Sequence, residues 1–187
     1  MTRFRRLVQA HRTVTAVIGT ALLAAIVVGA ALFQPWRLFT SSSLDEALPA
    51  APVAASASPV TPAAEVPAGT PTAGDPIVVS SGTFQSQEHE TTGAAQLLKL
   101  PDGSHVLRLE DLASSDGPDV KVWLSSLEAG GDWFKYRSGR YVDLGQVKAT
   151  HGNHNYVVPA GTDVAGLTSV VLWCDRFSVA FGSAPLS

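Results

Sequence analysis

The sequence predicts an all-β domain, an antiparallel sandwich or barrel-like fold of about 8–10 short strands. A transmembrane helix and a disordered proline- and alanine-rich stalk are predicted to precede this domain. Three observations support this prediction: a charge-free apolar run near the N-terminus, a proline-rich segment after it, and short apolar runs separated by turn residues. The chain divides into a basic segment 1–13, a transmembrane anchor 14–33, a linker 34–76 and an extracytoplasmic domain 77–187.

The composition excludes several classes of protein. The chain has 187 residues with 13 basic and 16 acidic side chains, a net charge of -3. Nucleic-acid binding requires a concentrated positive face, so we expect no nucleic-acid partner. A single cysteine excludes an internal disulfide and any cysteine-cluster zinc or iron–sulfur site.

The run 14–33 predicts a helix that crosses a membrane. Its 20 uncharged residues would form a helix about 30 Å long, which matches the hydrocarbon core of a bilayer. Four arginines precede the run and only Arg37 follows closely, which favours a cytoplasmic N-terminus in a single-pass protein of the cell membrane. The alternative is a cleaved signal peptide that ends at the small residues 29–31. In both cases the remainder of the chain is exported.

The linker is defined by its proline content. Residues 41–76 hold seven of the twelve prolines and no aromatic, lysine or arginine side chain. Proline fixes φ and removes a backbone donor, so extended polyproline-like conformers are expected over a reach of about 110 Å. This segment would hold the domain away from the bilayer as a stalk, or would simply be filler.

The domain is predicted to contain eight strands. Turn residues separate the apolar runs, as in the sequence Pro-Asp-Gly-Ser at 101–104. In the last run, apolar residues at 177, 179 and 181 alternate with small residues, the period of a half-buried strand. The predicted strands are 77–84, 94–100, 105–109, 120–125, 141–147, 155–158, 169–174 and 177–181.

Cys174 is the main candidate for chemistry. An unpaired thiol in an oxidising compartment is a liability unless it is buried or used. The alternation of the strand places Cys174 on one face with Leu172, and Trp173 on the other. Burial as a small core residue and a reactive thiol both remain open, because Arg176 would lower the pKa of the thiol whereas Asp175 would raise it.

The histidines are weaker candidates. His151 and His154 are three residues apart in a segment whose Gly152 and Asn153 indicate a turn, and two ligands in a turn are a weak metal signal. His89 is a third candidate ligand. A copper site would use one cysteine with two histidines, and nothing in the spacing requires it.

Hydrolase and transferase chemistry has no support. The sequence contains no nucleophile elbow, phosphate-binding glycine loop or dinucleotide fingerprint. Asp116 and Asp119 flank Gly117 and Pro118, as in a turn. The tryptophans at 123, 133 and 173 are typical of a core or of a sugar-binding platform.

Several motifs in order resemble the DM-thirteen domain, which also occurs beside DOMON domains in the Skeletor and Knickkopf proteins. The resemblance covers 80–186 and neither the predicted anchor nor the stalk. At the position of His154 the family more often has glutamine. The matching segments are 82–84 with His89 and Gly93, 107–112, 117–125, 143–145 with Lys148, 152–156 with Pro159, 171–174, and Phe177, Val179, Phe181 and Gly182.

This resemblance implies an electron-transfer module whose redox group is the cysteine matching Cys174. A single thiol cannot carry electrons as an internal dithiol, so a partner or a cofactor such as a metal or haem is required, and the sequence names neither. Cys174 is therefore the predicted redox residue. The predicted supporting residues are Trp173, Asp175, Arg176, Gly117, Pro118, Asp119, Asn155 and Tyr156.

Two functions follow from the sequence. The first is a membrane-anchored redox component that transfers electrons or thiols through Cys174. The second is a noncatalytic surface module that binds a protein or a polysaccharide, in which Cys174 is only packed.

Overall fold

The computed structural model describes residues 12–36, 40–49 and 74–187. The predicted basic segment up to residue 11 lies outside the described residues, and so do residues 37–39, with Arg37, and 50–73 of the predicted linker. An N-terminal helix, α1, runs from Arg12 to Phe33. Its span Ala16–Phe33 has a mean hydropathy of 2.5, and none of its residues is buried. By length and composition this helix could cross a membrane, and a signal sequence has the same features.

Ten strands in the described residues form two five-stranded sheets. Sheet A has the order β1-β8-β5-β4-β2 and sheet B the order β3-β10-β9-β6-β7. A short 3₁₀ helix, Lys135–Ser138, lies between β6 and β7. The strands are β1 Ser43–Asp45, β2 Ile77–Thr83, β3 Gln85–Ser86, β4 Thr92–Lys99, β5 His105–Ala113, β6 Val120–Ser125, β7 Tyr141–Gln146, β8 His151–Val157, β9 Ser169–Cys174 and β10 Val179–Pro185.

The main core lies between the two sheets. Alternate apolar residues of β5 in sheet A and of β6 and β9 in sheet B point into it, because successive side chains of a strand face opposite sides. Leu107, Val122 and Leu172 are each at most 1 % exposed. The prediction of a mostly β, sandwich-like domain preceded by one apolar helix is therefore confirmed.

A second apolar cluster covers the outer face of sheet B. It consists of Trp123, Tyr136, Val171, Trp173 and Ala180. Tyr136 belongs to the 3₁₀ helix, so this helix covers the outside of the sheet. All six residues of β9 are consequently buried, since the strand has a core on each side.

Strand β1 differs from the predicted organisation in two ways. It lies within the segment predicted as a linker, and it pairs with β8 in parallel, whereas the other strand pairs of the described residues are antiparallel. The strand pairs within 77–187 are antiparallel, as predicted, and the parallel pair is added by a segment that was predicted to be disordered. Three exposed residues carry no periodic pattern, and the strand exists because β8 offers it an unpaired edge.

Two local predictions are also wrong. His151–His154 was expected to form a turn, but these residues begin β8. Gly152 has φ +105, and a side chain there would meet the Leu44 carbonyl, so the glycine permits the close approach of β1. Phe177 was expected in the last strand, but it lies in the turn before β10 and is 45 % exposed, since the strand begins at Val179.

Candidate functional site

Cys174 is the last residue of β9 and faces the main core. It pairs with Val120 of β6 on one side and Val179 of β10 on the other. Its side chain is fully buried, with 0 % exposure. The thiol is therefore shielded from solvent on both sides by the neighbouring strands, β6 and β10.

The surroundings of the sulfur act on its charge in opposite directions. Burial raises the pKa of the Cys174 thiol, because the low-dielectric core disfavours the thiolate. The backbone N–H groups of Phe177, Arg176 and Asp119 lie near the sulfur and lower its pKa, which partly offsets this effect, while the Asp119 carboxylate adds to it. The net pKa is raised, so the thiol is protonated at neutral pH.

The loop Gly117–Asp119 closes the end of β9. The Asp175 N–H donates to the Asp119 carbonyl at 2.9 Å and fastens the loop to the residue after the cysteine. A Cβ on Gly117 would lie 2.7 Å from Val120 Cγ2 and 2.8 Å from Phe181 Cζ. A glycine is therefore needed for the loop to reach this position.

A polar cleft of about 470 Å³ opens beside this loop. It is bounded by the segment after α1, by the loop before β6 and by the β7–β8 connection. Val120, the direct neighbour of Cys174 in the sheet, lines it. Its lining includes Trp36, Ser42, Gly117, Pro118, Asp119 and Lys148.

Asp175 organises charged groups on the outer side of sheet B. Burial alone would raise the pKa of its carboxyl, but hydrogen bonds and attraction from Lys121 lower it, with smaller contributions from Trp173 and Arg137. The carboxylate accepts from Lys121 Nζ, Arg137 Nη2 and Trp173 Nε1. Arg176 is exposed, and its side chain lies outside this cluster.

Trp173 belongs to an aromatic stack beneath the same charges. Trp123 stacks on Tyr141 at 3.9 Å and on Trp173 at 5.0 Å between ring centroids. The Arg137 guanidinium lies 5.9 Å from the Trp123 ring and 5.8 Å from the Trp173 ring. Both tryptophans are buried and therefore serve as core residues, whereas Trp133 is 40 % exposed.

The three candidate histidines, His89, His151 and His154, occupy different environments. His89 packs on the Phe181 ring and pairs with Glu88. His151 is exposed, and its Nδ1 lies 2.9 Å from Thr150 Oγ1. No group of three or more candidate ligands that could hold a metal occurs in residues 12–36, 40–49 and 74–187.

His154 is fully buried beneath the edge of sheet A. Its Nε2 lies 3.2 Å from the His151 carbonyl, and its Nδ1 has no hydrogen-bond partner within the described part of the chain. Burial lowers the pKa of His154, as does the charge of Lys148, whereas the His151 carbonyl, Glu46 and Asp45 raise it. The net pKa of His154 is lowered, so its ring is neutral at neutral pH.

Comparison with known proteins assigns the domain to a family. A family model described as electron transfer DM13 matches residues 83–186, more than half of the chain. The chain belongs to the DM13 family. Neither a curated protein nor a solved structure matches it.

The structure separates the predicted site residues of the DM13 domain into two groups. Cys174 lies with Gly117, Pro118 and Asp119 at one end of sheet B, and Trp173 and Asp175 are on the outer face of the same strand end. Asn155 and Tyr156 lie on β8 instead. The Tyr156 hydroxyl accepts from the Lys148 N–H, and burial raises the pKa of this hydroxyl to about 12.

Sequence reasoning missed the residues around Asn155. Its side-chain oxygen accepts from Arg108 Nη1, and its N–H donates to the Glu46 carboxylate. Lys148 completes the group by donating to both oxygens of the same carboxylate. Arg108 and Lys148 stand within the motifs of the family, but their contacts with residue 46 span at least 62 positions and leave no local signal.

Proposed function

We propose that this DM13 protein is a membrane-anchored, extracytoplasmic electron-transfer component in which Cys174 is the redox group. Membership of the electron-transfer DM13 family is the observation that carries the proposal. The apolar helix Arg12–Phe33, with arginines before it, supports the anchoring and the exported domain. Three backbone N–H groups near the sulfur support the assignment of Cys174 as the redox group, because they would stabilise negative charge that develops on the sulfur.

The proposed chemistry is thiol–disulfide exchange with a partner that carries a disulfide. Deprotonated Cys174 attacks one partner sulfur, a new S–S bond forms, and the partner S–S bond breaks. The leaving sulfur takes up a proton, so the partner sulfur is reduced while Cys174 is oxidised to a mixed disulfide. A thiolate of a second partner then attacks the first partner's sulfur in the mixed disulfide, so that a disulfide between the two partners forms and the bond to Cys174 breaks. Cys174 leaves as a thiolate and takes up a proton, and the second partner's thiol has been oxidised.

Burial places a condition on this chemistry. The sulfur has no exposed surface, and its raised pKa keeps it protonated. Exchange therefore requires the turn 175–178 or the loop Gly117–Asp119 to move, with the cleft beside that loop as the route of approach. We expect thiol–disulfide exchange at Cys174 to be slow in the isolated domain and faster when a partner displaces the loop.

A redox titration of the full-length protein in detergent tests the proposal. We expect Cys174 to form a mixed disulfide in glutathione buffers while circular dichroism shows a folded domain, with the modified peptide identified by mass spectrometry. Cys174→Ser is the matched control and should remain unmodified. A Cys174 that stays reduced until the domain unfolds would contradict the redox role.

A noncatalytic binding module is the second candidate, and the complete burial of Cys174 in the main core favours it. In this case Cys174→Ala would lower the free energy of unfolding by about 1–3 kcal/mol because of the lost packing. Electron exchange with any donor or acceptor would be equal in the wild type and the variant. The first candidate predicts that the variant loses this exchange.

A further inference from the structure

The segment 42–47 lies along the open edge of β8. The His151 N–H donates to the Ser42 carbonyl at 2.9 Å, and the Glu46 N–H donates to the Asn153 carbonyl at 2.8 Å. Between these two bonds β1 pairs in register, with Leu44 opposite Gly152. The segment therefore binds as an added strand, which satisfies backbone groups that the edge of β8 would otherwise expose.

Two acidic side chains of the segment are recognised individually. Asp45 Oδ1 accepts from the N–H of Asn153 at 3.2 Å and from its Nδ2 at 2.9 Å. The Glu46 carboxylate accepts from Lys148 Nζ at 2.9 Å through both oxygens and from the Asn155 N–H at 2.6 Å. Charge-assisted bonds of this kind favour an acidic segment over a neutral one.

The backbone after Glu46 is also held. Arg108 Nη1 donates to the Glu46 carbonyl at 3.2 Å, and Asn155 Nδ2 donates to the Ala47 carbonyl at 2.8 Å. Arg108 is 7 % exposed and is fixed in turn by Glu110 and by the Asn155 side chain. Arg108 is therefore held in place by the domain and is preorganised for its contact with the segment.

The occupant and the surface come from different parts of the chain. The binding residues lie within the region that matches the DM13 family, whereas 42–47 lies outside it. We propose that the β8 edge is a docking site for an extended acidic peptide, and that segment 42–47 of the same chain is its occupant. The binding residues, which we call the acceptor edge, are Arg108, Lys148, Gly152, Asn153 and Asn155.

Docking in the same chain changes where the domain sits. Only eight residues, 34–41, separate the end of α1 from the docked segment. Fully extended, they span about 30 Å, so the domain stays next to the membrane if α1 is an anchor. This consequence rests on the anchoring in the proposed function, whereas the docking does not.

Disulfide trapping in the full-length protein tests the occupant. The side chains of Asp45 and Asn153 are in contact, so the double variant Asp45→Cys/Asn153→Cys should form a bond within one chain on mild oxidation. Mass spectrometry would show the linked peptides in a monomer, and each single variant is a control. A covalent dimer would show that the occupant is the segment of a second copy and not of the same chain. The absence of any 45–153 bond would overturn the docking.

Peptide binding tests the chemistry of the site. We expect a fluorescent peptide of residues 40–49 to bind the full-length variant Asp45→Lys/Glu46→Lys, whose own segment is repelled by Lys148. Binding to the wild type should be at least about tenfold weaker, because its site is occupied. A control peptide with Asp45→Asn and Glu46→Gln should also bind the variant at least about tenfold more weakly. Equal binding of the two peptides, or no binding to the variant, would overturn the proposal.

These outcomes are independent of the cysteine chemistry. Cys174 lies in sheet B, whereas the acceptor edge lies in sheet A and, at Lys148, in the loop before β8. Failure of docking is recognised by the peptide and by the 45–153 bond, whereas the redox titration measures Cys174 alone. Failure of that titration would equally leave the 45–153 disulfide unchanged.

Discussion

The Asp175 N–H donates to the Asp119 carbonyl at 2.9 Å, which joins the residue after Cys174 to the loop that covers it. The same loop contributes one of the backbone N–H groups at the sulfur. Access to the thiol is therefore coupled to the position of the loop Gly117–Asp119. Movement of this loop would expose the sulfur without unfolding the sheets.

Gly117→Ala should make Cys174 accessible in the folded domain. The added Cβ would lie 2.7 Å from Val120 Cγ2 and 2.8 Å from Phe181 Cζ, so the loop must move outward. We expect maleimide labelling of the native thiol at least about tenfold faster than in the wild type. Gly103→Asn is the control, because Gly103 has a positive φ that asparagine tolerates and no atoms near its Cβ position. Equal labelling of Gly117→Ala and the wild type would show that the loop does not control access.

Asp175→Asn should destabilise the domain in a salt-dependent manner. The substitution keeps an oxygen for Trp173 Nε1 but removes the ion pairs with Lys121 and Arg137. We expect a loss of about 1–2 kcal/mol at low ionic strength, with a smaller loss in high salt because Arg137 is half exposed.

Urea unfolding at two salt concentrations measures this effect, with tryptophan fluorescence as the signal. Asp143→Asn is the matched control, since Asp143 is more exposed and lies 3.5 Å from the same lysine. This control should change the free energy of unfolding by less than about 0.5 kcal/mol. Equal losses in the two variants would show that Asp175 has no special role.

Tyr136→Phe should lower stability through one buried hydroxyl. The ring is fully buried, and its oxygen lies 3.0 Å from Ser183 Oγ. Removing the hydroxyl leaves buried Ser183 with fewer partners, at a cost of about 1–2 kcal/mol. Tyr141→Phe is the control, because Tyr141 is 39 % exposed and its ring stack on Trp123 is kept. Chemical denaturation of both variants decides the point: a larger loss for Tyr141→Phe would contradict the role of the Ser183 contact.

Strands with a clear alternating pattern could be predicted from the sequence. β6 and β9 have the predicted bounds, because both contain continuous apolar runs that end at turn residues. The inward direction of Cys174 also follows from the alternation. The pattern does not predict that the loop Gly117–Asp119 covers the end of β9, because this loop comes from a different part of the chain.

β1 and its contacts could not be predicted from local patterns. The bonds made by the side chains of Asp45 and Glu46 join residues more than 100 positions apart. The acceptor residues are spread over β5, β8 and the loop before β8, so no spacing in the sequence groups them. Gly152 was interpreted as a turn residue, whereas its backbone conformation serves strand packing.

His154 gives the domain a stability that depends on pH in the mildly acidic range. Burial lowers the pKa of His154 below its ordinary value of 6.5, so the folded state binds fewer protons than the unfolded state as the pH falls. Stability is therefore fully present above about pH 6.5 and decreases as the pH is lowered through that value, until the folded state also binds the proton. The limiting slope is about 1.4 kcal/mol per pH unit for one proton.

His154→Gln should remove this slope between about pH 5 and pH 7, because glutamine does not titrate. Urea denaturation at a series of pH values measures the free energy of unfolding for both proteins. Glu46, whose pKa is lowered mainly by the Lys148 hydrogen bond, loses its contribution only below its ordinary value of 4.5 and so acts outside this range. His151→Gln is the control for an exposed neighbour on the same strand. A slope that persists in His154→Gln would show that another group causes the pH dependence.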